Sequence, residues 1–188
     1  SYITNQRRPK ASRNSKGSPI MLKLILLRHA KSGWAQGGQS DFDRQLNERG
    51  EHDAITMGQR MHARDIKPAI ILSSSAARAK NTSELVSGEL GVMETTISYD
   101  RRLYLAEPGD LMAVIREQTA LTSEIMVVGH NPGITAFAGR LADTHVDSMP
   151  TSSYAEISFD LDKWEDVDWE TGSLVHFDWP ANSGRTED

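Results

Sequence analysis

Two apolar runs that each end in a histidine constrain this chain more than any other feature. Leu24-Ile25-Leu26-Leu27 leads into Arg28-His29-Ala30-Lys31-Ser32, and Ile125-Met126-Val127-Val128 leads into Gly129-His130-Asn131-Pro132-Gly133. Unbroken apolar segments of this length, bounded by turn residues, read as strands buried on both faces of a parallel sheet. Both histidines then fall just past the C-terminal ends of buried strands, where open α/β sheets hold their ligands.

The rest of the chain supplies the layers such strands need. Strands are predicted over Leu22–Arg28, Pro68–Ser73, Thr95–Ser98 and Glu124–Gly129. Between them come helices from Asn47 (a cap) to about Ala63, from Ala76 to about Leu90, and from Pro108 to about Thr119. A further helix, Pro132–Leu141, carries proline near its first turn, where a missing N–H costs nothing. Tyr154–Leu161 alternates apolar and polar residues, the pattern of an edge or half-buried strand. Trp164–Trp179 reads as a hairpin around Thr171-Gly172. Strand–helix alternation with antiparallel strands at the end predicts a three-layer α/β/α sandwich around a mostly parallel, mixed central sheet.

Composition narrows the classes of function. There is no cysteine, so no thiolate nucleophile, disulfide or Cys-based metal site is available, which fits a cytoplasmic setting. No His-x-His or His-Glu-x-x-His spacing occurs, and neither a metal nor a cofactor is expected. No apolar run reaches membrane-spanning length, so no membrane partner is expected. Residues 1–20 carry Arg7, Arg8, Lys10, Arg13 and Lys16 and no acid; the net charge of −5 is therefore −10 outside them. An acidic body argues against nucleic acid as a partner. The first 20 residues are expected to be a disordered basic tail, read as an upstream-start remnant before Met21 in preference to an organelle transit peptide. Residues 21–182 form the expected domain and 183–188 a C-terminal tail.

The chemistry-bearing residues point to phosphate. Arg28 offers a planar, permanently charged fork that grips a phosphoryl group through two bonds. His29 beside it has a ring nitrogen that is largely uncharged near neutral pH and can attack phosphorus. Ser32 can add a hydroxyl. Arg78 follows the Ser73-Ser74-Ser75 run in the first turn of a predicted helix, where phosphates bind well. His130 can stabilise charge as it develops on the transferring group. Each residue alone is more often a solvated or packing group; two histidines at equivalent strand ends change that balance. His52 and His62 fall on the first helix as surface or packing residues. His145 and His176 receive no role.

These residues resemble a known family. Arg28-His29-Ala30-Lys31-Ser32 is similar to the Arg-His-Gly/Ala signature of the histidine phosphatase superfamily, whose fold is phosphoglycerate mutase-like. Asp43-Arg44-Gln45-Leu46-Asn47-Glu48-Arg49-Gly50 resembles the Asp-x-Arg-Pro-Leu-Thr-x-x-Gly segment of SixA-type phosphohistidine phosphatases. Ser74-Ser75-Ala76-Ala77-Arg78-Ala79-Lys80-Asn81-Thr82 resembles their Ser-Pro-Ala-x-Arg-Ala-x-Gln-Thr, and Leu103-Tyr104 and Gly129–Gly133 also match. Gln45 and Ser75 depart from prolines, and Asn81 from glutamine. The resemblance implies a phosphatase in which His29 becomes a phosphohistidine while Arg28, Arg78 and His130 neutralise phosphoryl charge. The substrate it implies is phosphohistidine on a signalling or phosphocarrier protein. Small phosphate esters are the alternative substrate, and a non-catalytic phosphoprotein-binding module is a third reading. The general acid is left open among Asp41, Asp43 and Glu107, as is the oligomeric state.

Overall fold

The structure is a computed structural model that describes residues 3–4, 21–92, 96–119 and 121–182. Its twelve strands and helices run β1 (Ile3–Thr4), β2 (Leu22–Arg28), α1 (Glu48–Ala63), β3 (Ile70–Ser74), α2 (Ala77–Leu90), β4 (Ile97–Asp100), α3 (Pro108–Arg116), β5 (Glu124–Gly129), α4 (Gly133–Leu141), β6 (His145–Val146), β7 (Tyr154–Phe159) and β8 (Gly172–Asp178). Six strands form the central sheet in the order β4-β3-β5-β2-β7-β8. The first four in that order run parallel, while β7 lies antiparallel to β2 and β8 antiparallel to β7.

Side-chain alternation along the buried strands sorts residues into two cores. Leu22, Leu24, Leu26, Ile125 and Val127 face α3 and α4, packing with Ile115 and Phe137. Ile25, Leu27, Met126 and Val128 face α1 and α2, packing with Met57, Met61 and Val86. Because both faces of β2 and β5 are covered, their sequences are apolar throughout rather than alternating. The result is the expected three-layer sandwich with a mixed sheet.

The register between β2 and β5 builds the site. Leu24 to Arg28 pair with Ile125 to Gly129 in step, and the His29 N–H donates to the Gly129 carbonyl at 3.0 Å. His29 and His130 therefore leave neighbouring strands at the same level. Asn47 caps α1 as expected, its side chain accepting from Gly50 N–H at 2.8 Å. That cap sits directly below the His29 loop, since Asn47 N–H also donates to the Lys31 carbonyl at 3.0 Å.

Two C-terminal expectations are corrected. β7 is an interior strand, with Tyr154, Ala155, Glu156, Ile157 and Phe159 all buried. Its alternation misled because Glu156 is a buried carboxylate, held by Arg64 at 3.0 Å and Lys23 at 3.4 Å. The hairpin is formed by β7 and β8, not within Trp164–Trp179: Trp164–Asp166 is a 3-10 turn whose Trp164 ring is fully buried. Smaller differences are a second strand starting at Ile70, a third strand that runs on to Asp100 (Thr95, its expected first residue, lies outside the described residues), α3 ending at Arg116, and Pro132 preceding α4 as its cap. Within residues 1–20, Ile3–Thr4 pair antiparallel with His145–Val146. The remaining residues of that tail, and the 183–188 tail, lie outside the described residues.

Candidate active site

Arg28 is the last residue of β2 and His29 the first beyond it. The His29 Nδ1–H donates to the Ala30 carbonyl at 2.8 Å, which leaves Nε2 as the nitrogen with the free lone pair. That nitrogen accepts from Arg78 Nε at 3.3 Å. Burial pushes the His29 pKa down to about 4; the charges of Arg78, Arg28 and Arg44 push the same way, against the Ala30 carbonyl. His29 is thus a neutral imidazole of defined tautomer, with Arg78 on Nε2 and the charges of Arg28 and Arg44 acting on its ring.

His130 lies beside it, ring centroids 5.0 Å apart. Its Nε2 and the Ser74 hydroxyl are 2.7 Å apart, and Ser74 Oγ also accepts from Ala76 N–H. With the Ser74 proton donated to His130 Nε2, the ring proton lies on Nδ1. Nδ1 is buried and makes no protein hydrogen bond, as does Arg28 Nε. Burial and then the His29 ring push the His130 pKa down to about 3, so its donor is that of a neutral ring. Arg28 donates from Nη1 to the Met149 carbonyl at 2.8 Å, which fixes its fork.

Arg78 comes from the first turn of α2 and is 2% exposed. Thr82, one turn on, ties this helix to the histidine loop. Its hydroxyl accepts from Ala30 N–H at 2.9 Å and donates to the Arg78 carbonyl at 2.7 Å.

The surprise is Asp41. Its carbonyl accepts from Arg78 Nη1 at 2.7 Å and its Oδ2 from Arg78 Nη2 at 3.1 Å. Tyr104 donates to the same Oδ2 at 2.5 Å, and Arg44 holds Oδ1 at 3.0 and 2.9 Å. The Tyr104 bond, then those of Arg44 and Arg78, bring its pKa down to about 2. A half-exposed carboxylate of the chain itself thus sits on the arginine that the sequence reading assigned to phosphate.

Arg28, His29, Arg78, His130 and Ser32 all line one cavity of about 430 Å³. Ser32 is turned to Arg44, accepting from its Nη1 at 2.8 Å. Of the three acid candidates, Asp41 lines the cavity, whereas Asp43 and Glu107 do not. Asp43 accepts from Ser40, and Glu107 lies at the start of α3, its N–H bonded to Asp110. Arg44, Tyr104 and Lys31 carried no predicted role; Arg44 stands inside the segment matched at 43–50, which was the signal available for it. Among the described residues, no group of three or more His, Cys, Asp or Glu side chains is placed to hold a metal ion.

Comparisons with known proteins bear on this arrangement. The family model of the histidine phosphatase superfamily (branch 1) matches residues 24–110. An uncharacterised protein of Mycobacterium leprae is 32% identical over 171 residues, covering 82% of this chain and 99% of that one. A SixA structure from Agrobacterium tumefaciens is 29% identical, covering 83% of this chain and 97% of that one, with a TM-score of 0.69. The chain belongs to the histidine phosphatase superfamily. The fold is also that of a protein histidine phosphatase SixA complexed with tungstate, at TM-score 0.73 and 21% identity over 86% of this chain and 99% of that one. Within this superfamily the chain is a phosphatase of the SixA-like type. Among the described residues no helix is long and apolar enough to cross a membrane.

Proposed function

We propose that this phosphatase removes phosphoryl groups from phosphohistidine on a protein, through a phosphohistidine formed on His29. One observation carries the choice of substrate: Asp41 is the one carboxyl group among the described residues lining the cavity, and it is held ionised. An alkoxide leaving group needs a proton that an ionised carboxylate does not have. An imidazole leaving group takes its second-nitrogen proton from solvent near pH ~6.5. A phosphate cradle without a protonated acid therefore favours a phosphorus–nitrogen bond over a phosphate ester.

In this reading His29 Nε2 attacks phosphorus in line while Nδ1–H stays on the Ala30 carbonyl. Arg28, Arg78 and His130 Nδ1–H neutralise the phosphoryl oxygens, which is most of what such a transfer asks of a protein. Water then hydrolyses the phosphoenzyme, and the electron pair of the breaking bond returns to Nε2. The SixA structure from Agrobacterium tumefaciens, at 29% identity, supports the same substrate class.

The test is phosphate release from a phosphohistidine-bearing carrier protein, wild type beside His29→Ala, with a sugar phosphate as comparison. Fast release by wild type alone, with little ester turnover, is the expected result. Ester turnover with the phosphohistidine untouched would replace this reading with a small-ester phosphatase. Retained phosphate affinity with no turnover of either substrate would make the chain a binding module.

A further inference from the structure

Asp41 has no part in the mechanism just described, yet Arg78, Arg44 and Tyr104 all bond its carboxylate. Its Oδ2 lies on Arg78 Nη2, and Arg78 Nε lies on the His29 nucleophile. The carboxylate is therefore one guanidinium's width from the reacting nitrogen. Asp41 takes one N–H from each of Arg78 Nη1 and Nη2, so a phosphoryl group that grips Arg78 through this edge competes with the carboxylate. When phosphate takes those nitrogens, Asp41 loses its Arg78 partner but keeps Tyr104 on Oδ2 and Arg44 on Oδ1. An anchored acceptor oxygen is then exposed at the edge of the phosphoryl site.

We propose that Asp41 is the specificity-determining residue of this site, accepting the ring N–H of the leaving phosphohistidine through Oδ2 once phosphate has displaced it from Arg78. The inference rests on the phosphohistidine reading above and assigns that reaction its leaving-group contact. A phosphohistidine protonated on its second nitrogen is a cationic ring. The carboxylate attracts that ring and orients its N–H, as the Ala30 carbonyl does for His29 on the attacking side. The step balances without a co-reactant. The His29 Nε2 lone pair forms the new phosphorus–nitrogen bond, the old bond's pair returns to the substrate ring, and the proton on its far nitrogen stays there. A neutral imidazole departs. For an ester the same oxygen has no proton to give and stands against the negative charge growing on the leaving oxygen.

Four residues frame the swap. Tyr104 and Arg44 hold the carboxylate, and Gly37 and Gly38, both at positive φ (42° and 83°), form the turn just before Ser40 and Asp41.

The experiment compares wild type, Asp41→Asn and Tyr104→Phe on three readouts. These are turnover of a phosphohistidine-bearing carrier protein, turnover of a phosphate ester, and inhibition by inorganic phosphate, with thermal melting to establish folding. Loss of one charge-assisted hydrogen bond should lower the ratio of phosphohistidine to ester turnover by roughly ten-fold or more in Asp41→Asn. Inorganic phosphate should bind that variant several-fold more tightly, because Arg78 no longer carries an internal anion. Tyr104→Phe, which loosens the acceptor but leaves the charge, should lower the ratio less. An equal fall on both substrates with weaker phosphate binding would overturn the proposal and leave Asp41 a positioning residue for Arg78. A larger loss on the ester would overturn it in favour of a general acid. Wild type that hydrolyses ester but not phosphohistidine would overturn the substrate reading itself, a failure visible before any variant is made.

Discussion

Thr82 offers a sharp test of how the site is held. Its hydroxyl is fully buried and spans two elements, accepting from Ala30 N–H at 2.9 Å and donating to the Arg78 carbonyl at 2.7 Å. Thr82→Val keeps the shape and removes the oxygen, so packing changes little while Ala30 N–H is left buried without an acceptor. An orphaned buried donor costs ~1–3 kcal/mol. For a domain of this size each kcal/mol lowers Tm by about 2–4 °C. The expected loss is therefore about 2–12 °C in a thermal melt followed by circular dichroism. The Arg78 carbonyl adds little, since as a helical acceptor it keeps its backbone partner. Phosphate release should fall as well, because this bond ties the residue after His29 to the helix that carries Arg78. Thr82→Ser keeps the hydroxyl and should retain activity with a smaller loss of stability from the missing methyl. A valine variant that melts and turns over like wild type would refute the bridge.

Four further outcomes follow from the same structure. Phosphoryl transfer should be flat near neutral pH on the nucleophile side and fall as pH drops through about 4, where His29 gains its proton. Unfolded histidine titrates near ~6.5, so below that pH the unfolded chain binds protons that buried His29 and His130 refuse. Stability should therefore decline as pH falls from ~6.5 toward 4, and an unchanged urea midpoint across that window would contradict it. Gly50→Ala and Gly133→Ala would place a Cβ 2.0 Å from the Lys31 carbonyl and 1.8 Å from the Ala106 carbonyl. Both should lose ~1–3 kcal/mol or more in urea unfolding, as overpacking against backbone does, and Gly50→Ala should lose activity through the His29 loop. Trp164→Ala empties a fully buried site and should cost ~3–5 kcal/mol in the same assay, with phosphate affinity retained in the folded fraction.

The parts of the fold that a sequence displays most directly are those where one physical demand acts alone. β2 and β5 are apolar on both faces because helices cover both, so their positions and their histidine ends were legible. Asn47 was legible as a cap because one side-chain oxygen satisfies one helix N–H. The errors arise where two demands compete. Glu156 reads as a solvent-facing residue, yet Arg64 and Lys23 neutralise it inside the sheet, so an interior strand carried the pattern of an edge. Trp164 and Trp169 read as strand residues, but Trp164 serves as a plug in a 3-10 turn. In the cavity, Arg28, His29, Arg78 and His130 announced themselves by residue type and position. The bond between Asp41 and Arg78 did not, because it joins residues 37 apart through the conformation of a loop. A loop rich in glycine and glutamine shows no periodicity from which such a contact could be read.

The central claim is that His29 carries the phosphoryl group. The most direct measurement is a rapid quench under alkali after mixing the enzyme with a carrier protein labelled with radioactive phosphate on histidine, followed by peptide mapping. The account predicts a transient, alkali-stable and acid-labile label on the peptide that contains His29, absent in His29→Ala. Phosphate release at full rate with no label on that peptide, or with the label elsewhere, would contradict it.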